Sequence, residues 1–319
     1  MPPFASLAAD RSRLVVCAGL VALQWAAAGW AAHGGHRSGA LALVVLQVVL
    51  LLPLALLSVV AAGTRLAGRV AGLVAGGVWV VLPLLAYGYL DGRARPSAHD
   101  VLLPRILGLA DSGVFTAVVA LAVALLLLVH ALDRAGLRLA GAAGLAAGVA
   151  CAFSAAAWVF LPGLAAAFAL RRRPAALAAA LACAAPGLLV GVLWHLHAPG
   201  TAVLAHWDPG TVGRNVLAFR EYGWSQRVLQ WLGVAATVAV LRLRHPAGPA
   251  AAIWFWLALL LQGSIMRGSA EAVPSTFLTA LLSAFPAFVL MVAALPLLLP
   301  RLPVRIAARR GGEPRASHS

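Results

Sequence analysis

Residues 113–134 read GVFTAVVALAVALLLLVHALDR, an apolar run that closes on an aspartate and an arginine. A run of about 20 apolar residues is long enough, as a helix, to cross the roughly 30 Å hydrocarbon core of a bilayer. Similar runs recur from end to end of the 319-residue chain, and arginine clusters fall at every second gap between them. The pattern therefore predicts an all-α, polytopic integral membrane protein.

The composition narrows the class of protein further. Hydrophobic residues make up 63% of the chain and charged residues 10%, which leaves too little polar surface for a soluble protein of this length. All 24 basic residues are arginine, and the net charge is +15. This charge is spread over the gaps between apolar runs, without a basic patch of interleaved aromatics, so nucleic acid is excluded as a partner. Anionic membrane lipids are the expected partner of such charge. The excess of Ala and Arg over Ile and Lys is typical of a high-GC genome, such as that of an actinobacterium.

The apolar runs predict eight single spans. They are Leu14–Ala32, Leu41–Ala62, Val70–Leu90, Gly113–Leu132, Ala175–His195, Val228–Leu241, Pro249–Met266 and Phe277–Leu299. The first run is longer than the apolar region of a secretory signal peptide, so we interpret it as a retained helix. Together with a two-helix hairpin described next, the chain has about ten helices.

The stretch Leu139–Leu170 is apolar except at Ser154, but it is too long for one span and too short for two full ones. Arg138 precedes it and Arg171–Arg173 follow it, and both flanks are interpreted as cytoplasmic. Flanks on the same side require an even number of passes, and Gly148, Ser154, Pro162 and Gly163 offer places to break a helix. We expect a hairpin of two short helices that is packed against protein near Ser154, because broken helices in a membrane need such cover.

The charge distribution predicts the orientation. Sixteen of the 24 arginines fall on one side of the predicted spans, which marks that side as cytoplasmic. Six of the nine acidic residues and most histidines fall on the other side. We therefore expect a plasma-membrane protein with both termini in the cytoplasm. Residues 1–300 form a single transmembrane domain, and residues 301–319 form a basic cytoplasmic tail.

The predicted outer face carries the groups able to do chemistry. Two long outer segments, Asp91–Ser112 and His195–Arg227, mix carboxylates, arginines and apolar residues. Asp91, with Asp100 as the alternative, is the candidate general base for an acceptor hydroxyl. The candidate phosphate-binding residues are Arg93, Arg95, Arg105, Arg214 and Arg220, since arginine grips phosphate oxygens in bidentate fashion. The simpler interpretation of these groups is a set of solvated ion pairs.

No metal or other cofactor is predicted. His33 and His36 are three residues apart and His195 and His197 are two apart, but neither pair fits a metalloenzyme motif. The cysteines, at positions 17, 151 and 183, lie in apolar runs without metal-binding spacing, which favours small buried hydrophobic residues.

Two segments resemble the GT-C class of membrane glycosyltransferases. TRLAGRVAGLVAGGVWVVLPLLAYG (Thr64–Gly88) is similar to a span of those enzymes that follows a basic turn and ends in a proline-containing exit. The Gly-rich segment Leu139–Leu177, which closes on an arginine cluster, is similar to their broken hairpin. The resemblance implies transfer of a sugar from a polyprenyl-phosphate donor to an acceptor on the outer face, in assembly of the cell envelope.

The first outer loop departs from that family. GT-C enzymes carry their catalytic acid on a long first outer loop, whereas here the loop is His33–Ala40, HGGHRSGA, without a carboxylate. Either Asp91 or Asp100 takes that role, or the chain is a non-catalytic GT-C-like protein that binds lipid or a partner. A transporter or flippase is the third alternative.

Overall fold

The computed structural model of the chain describes residues 11–35, 40–91, 107–109, 113–197, 227–265 and 284–298. These residues form helices and the turns between them, and no strand occurs among them. The helices are α1 (Arg11–His33), α2 (Leu41–Ala67), α3 (Arg69–Asp91), α4 (Gly113–Arg134), α5 (Leu137–Phe153), α6 (Phe160–Leu170), α7 (Pro174–His197), α8 (Arg227–Leu241), α9 (Ala247–Ile265) and α10 (Phe285–Ala293).

Four helical stretches are long and apolar enough to cross a membrane. They are Ser12–His33, Leu41–Ala67, Gly113–Arg134 and Pro174–Trp194. The other apolar helices are shorter within the described residues. The described part of the chain is therefore all-helical, the composition is that of a membrane protein, and the larger number of spans stays a prediction.

The core of the bundle forms around α4 and α10. Most of α4 is buried, with α2 packed on one side and α5 on the other. Every residue of α10 is buried, which requires neighbours all round it. Its Phe285 lies 4.7 Å from the Trp79 ring of α3, and its Phe288 stacks on Phe255 of α9 at 5.4 Å. Aromatic contacts thus join α10 to two helices far from it in sequence.

Helices α5 and α7 lie unusually close because glycine and alanine line their contact. A methyl group built on Gly148 of α5 would lie 2.7 Å from the carbonyl oxygen of Ala184 of α7, and one on Gly144 would overlap the backbone of Ala180. Residues nearer the C-terminal end of α5 contact residues nearer the C-terminal end of α7, so the two helices run parallel. Small residues at four-residue spacing allow this close approach of membrane helices.

The helical path breaks between α5 and α6. Ser154 has an extended backbone, with φ −151° and ψ 124°, and a 3-10 turn over Ala155–Val159 follows it. The Trp158 indole Nε1 donates to the carbonyl oxygen of Cys151 at 3.3 Å, which satisfies one acceptor freed by the break. The first turns of α4 cover the break and enclose a cavity of about 10 Å³ beside Ser154. The stretch Leu139–Leu170 is thus two helices rather than one.

Three tight connections return the chain at one end of the bundle. Gly68 alone links α2 to α3, and its φ of +91° suits glycine. Ala135 links α4 to α5 with φ +55°, and Arg172 links α6 to α7 with φ +53°. Around Arg172, the Arg173 N–H bonds to the Phe168 carbonyl and the Arg172 N–H to the Ala169 carbonyl, which is a Schellman motif. This arrangement satisfies the Phe168 and Ala169 carbonyls at the end of α6.

Candidate functional site

Among the predicted catalytic residues, the structure describes only Asp91, which is the last residue of α3. With a rise of 1.5 Å per residue, the 23 residues of α3 separate Asp91 from Arg69 by roughly 33 Å. The other predicted site residues, Asp100, Arg93, Arg95, Arg105, Arg214 and Arg220, lie outside the described residues. So do most of the two long outer segments.

An ion cluster around Asp133 occupies the opposite end of the bundle. The Arg65 guanidinium, at the end of α2, donates to Asp133 Oδ2 at 2.8 Å. His245, in the turn between α8 and α9, places its Nε2 3.1 Å from Asp133 Oδ1. About one third of the Asp133 side chain is exposed, so water screens the pairing in part. The carboxylate joins three segments that are distant in sequence.

The hydrogen bonds of His245 fix its protonation form. Its Nδ1 accepts the backbone N–H of Ala247 at 3.2 Å, so the proton of the neutral ring lies on Nε2 and is donated to Asp133. Burial lowers the pKa of His245 below its usual value, and the charge of Arg171 adds to that lowering. Asp133 raises the pKa but does not overcome burial. His245 therefore works as a neutral hydrogen-bonding bridge that also caps the start of α9.

Arg173 extends the same cluster to the turn between α6 and α7. Its Nη1 donates to the carbonyl oxygens of Ala131 and Leu132, at 3.1 and 3.0 Å. These carbonyls belong to the last turn of α4, where the helix dipole favours a cation; the Ala131 carbonyl also accepts the backbone N–H of Ala135 at 3.1 Å. The segment between α4 and α7 therefore begins and ends at one end of the bundle.

This ion cluster is suited to holding helix ends together rather than to catalysis. Both carboxylate oxygens of Asp133 are occupied by Arg65 and His245, which leaves no free base poised beside a cavity. The sequence analysis assigned Asp133 no role. The sequence did contain a signal for this cluster. Asp133 directly follows an apolar span, and the loops predicted on the same side of the membrane are rich in arginine.

Two glutamine side chains are buried in the half of the bundle nearest Asp91. Gln24 of α1 and Gln47 of α2 are each only 2% exposed, and their carbonyl oxygens have no hydrogen-bond partner. Gln47 opens a π-helical turn over Gln47–Leu51, in which the Leu52 N–H bonds back to the Gln47 carbonyl. The Trp25 indole donates to the freed Val48 carbonyl at 3.1 Å. Turns of this kind recur at functional sites.

A short turn from the first long outer segment lies against this π-helical turn. Leu107 and Leu109 are buried among alanines of α1 and Val44 of α2. Gly108 between them has a φ of +72°, and a methyl group there would lie 3.3 Å from Cβ of Gln47. The Leu107–Leu109 turn, which follows Asp100 in the sequence, is therefore packed against α2 at Gln47.

The cysteines and histidines of the described residues form no metal centre. Cys17 and Cys151 are buried, Cys183 is partly buried, and all three are free thiols. No group of three or more metal-binding side chains lies together in the described ranges.

Comparison of the chain with models of protein families, with curated proteins and with solved structures found no match.

Proposed function

We propose that the chain is a GT-C-like membrane glycosyltransferase, which transfers a sugar from a polyprenyl-phosphate donor to an extracytoplasmic acceptor. The observation that carries the proposal is the position of Asp91 at the end of α3 remote from the Asp133 ion cluster. A carboxylate there can activate an acceptor hydroxyl, while nearby arginines bind the phosphate of the donor. Asp100 is the alternative base in the same segment.

The proposed orientation places the Asp133 cluster in the cytoplasm. The helix ends near it carry Arg65, Arg134, Arg138 and Arg171–Arg173, and such an excess of arginine marks the cytoplasmic side of membrane proteins. Asp91 then faces the outside. In this arrangement α5 and α6 form one hairpin that enters the membrane and returns, so that α7 crosses in the same direction as α5.

Replacement of Asp91 tests the catalytic role. Asp91→Asn should lower sugar transfer by roughly 100-fold or more, since it removes the base but keeps the shape of the side chain. The assay is transfer in membranes supplied with polyprenyl-phosphate sugars, with protein amount measured in parallel. Asp100→Asn is the matched control for the alternative base. Arg93→Ala and Arg214→Ala should weaken donor binding through the loss of charge-assisted phosphate contacts.

If neither aspartate variant changes a measurable transfer rate, the catalytic assignment is wrong. A second function, a non-catalytic membrane protein that binds lipid or a partner, is favoured by the first outer loop His33–Ala40, which contains no carboxylate. A wild-type protein that binds polyprenyl-phosphate sugars but transfers none of a broad panel would support this second function.

A further inference from the structure

Arg173 holds two turns of the chain together at the arginine-rich end of the bundle. Its Nη1 lies 3.1 Å from the carbonyl oxygen of Ala131 and 3.0 Å from that of Leu132, so the turn between α6 and α7 packs against the last turn of α4. Helix α5 also begins here, because only Ala135 and Gly136 separate it from α4. The α4–α5 turn and the α6–α7 turn are therefore neighbours.

The contact between α5 and α7 places the first turns of these helices side by side. Gly144, where a methyl group would overlap the backbone of Ala180, lies seven residues after the start of α5, and Ala180 lies six residues after the start of α7. Since the helices run parallel with a rise of about 1.5 Å per residue, both begin at the same level to within about one turn. Arg138, in the first turn of α5, thus lies beside the turn that contains Arg171 and Arg172.

Four exposed arginines of these two turns make up what we call the four-arginine surface, namely Arg134, Arg138, Arg171 and Arg172. None of the four pairs with a carboxylate among the described residues, whose acidic side chains are Asp91, at the far end of α3, and Asp133. Both oxygens of Asp133 are already bonded to other groups. Like charges that are held close together repel, so the four-arginine surface favours a bound anion.

Exposed leucines adjoin the arginines and narrow the kind of anion. Leu137 precedes Arg138 and is 55% exposed, and Leu170 precedes Arg171 and is 59% exposed. Arginines that follow apolar helices so closely lie at the level of the lipid head groups in a membrane. A phospholipid presents the same order of groups, a charged phosphate next to apolar chains. An acidic protein or a free phosphate would leave the leucines unused.

We propose that the four-arginine surface binds the phosphate of an anionic phospholipid, whose acyl chains lie along Leu137 and Leu170. Guanidinium groups from both turns can share the phosphate oxygens through charge-assisted hydrogen bonds. The lipid thereby joins the same two turns that Arg173 joins from within the protein. The proposal narrows the general attraction between arginine and anionic lipid to one defined site, and it does not depend on the proposed transferase.

Native mass spectrometry of the purified full-length protein in an uncharged detergent tests the proposal. Phosphatidylglycerol is titrated, and phosphatidylcholine with the same acyl chains is titrated in parallel. The wild type should bind phosphatidylglycerol with the lower Kd. Arg138→Gln and Arg171→Gln should each raise that Kd by roughly 5-fold, the factor that one arginine contributes near an anionic lipid surface. Neither variant should change the binding of phosphatidylcholine.

Arg242→Gln is the matched control. Arg242 is also exposed and directly follows an apolar helix, α8, but it belongs to the α8–α9 turn. Its replacement removes the same charge and should change the Kd for phosphatidylglycerol by less than about 2-fold. All three variants should melt like the wild type without lipid, because an exposed arginine without a carboxylate partner contributes little stability. An equal loss of affinity in the control and in the two site variants overturns the proposal, since net charge alone would then explain the binding.

Soluble competitors distinguish a lipid from a free phosphate. Glycerol phosphate and inorganic phosphate should not displace phosphatidylglycerol, because they lack acyl chains. Displacement by either compound overturns the lipid assignment, as does a wild type that binds both phospholipids equally well. None of these outcomes depends on sugar transfer, so a failure here leaves the proposed function standing, and the Asp91→Asn assay tests that function separately.

Discussion

Replacement of Gly144 by alanine probes the close contact between α5 and α7. The added methyl group would lie 2.6 Å from the carbonyl carbon of Ala180 and 2.7 Å from its Cα. Carbon atoms pack best at about 3.5–4.0 Å, so α5 and α7 must separate by roughly 1 Å. A gap of that size removes up to half of the dispersion attraction between atoms that face each other across the two helices. The contact is made with the backbone of Ala180, which cannot move aside as a flexible side chain could.

Overpacking of this kind lowers the free energy of unfolding by about 1–3 kcal/mol. The higher helix propensity of alanine offsets about 1 kcal/mol of that loss. We therefore expect the free energy of unfolding of the Gly144→Ala variant to be lower than that of the wild type by up to about 2 kcal/mol, and its melting temperature to be lower by up to a few degrees. Thermal melting in detergent micelles measures the effect. The matched control is Gly77→Ala in α3, where nothing lies within 4 Å of the added methyl group. Equal melting temperatures of the two variants would refute the close α5–α7 contact.

Three further predictions concern the ion cluster and the topology. Asp133→Asn should lower the free energy of unfolding by about 1 kcal/mol, because the partly exposed carboxylate pairs with both Arg65 and His245. An unchanged denaturant-unfolding curve would rule out a stabilising role. The pKa of His245 is lowered in the folded protein, so as pH falls the unfolded chain takes up the proton first. The free energy of unfolding should therefore fall as pH drops below about 6.5. This part of the pH dependence should vanish in His245→Gln. In intact cells, a membrane-impermeant thiol reagent should label Ser97→Cys but not Gly68→Cys, and the reverse pattern would invert the proposed orientation.

The helix ends could be predicted from sequence because each apolar run has a local cause for where it stops. Arg171 directly follows an apolar run, Arg134 follows one after Asp133, and Gly68 lies a few residues beyond one; the helices end within a few residues of these positions. The break within Leu139–Leu170 was predicted from its length and flanks. It falls at Ser154, level with the first turn of α4, where the carbonyl of Phe153 lies against Gly113.

The contacts between distant segments could not be predicted in the same way. The pairing of Asp133 with Arg65 and His245 joins residues 68 and 112 positions apart, and nothing in a single sequence sets such a distance. The π-helical turn at Gln47 depends on the Trp25 indole taking a carbonyl from another helix. Gly144 and Gly148 were recognised as part of a glycine-rich stretch, but their close partner α7 follows only from the fold.

The π-helical turn also determines how α2 tolerates changes in length. A turn closed by an i to i+5 bond holds one residue more than an α-helical turn, so the chain carries one surplus residue between Leu46 and Leu52. Deletion of Val49 can convert the turn to a regular α-helix while the residues on both sides keep the faces they now present. The same deletion one or two turns later would rotate the preceding half of the helix by about 100° against its neighbours. Membrane helices rarely tolerate insertions or deletions, whereas the Gln47–Leu51 turn of α2 is a place where one residue can be lost.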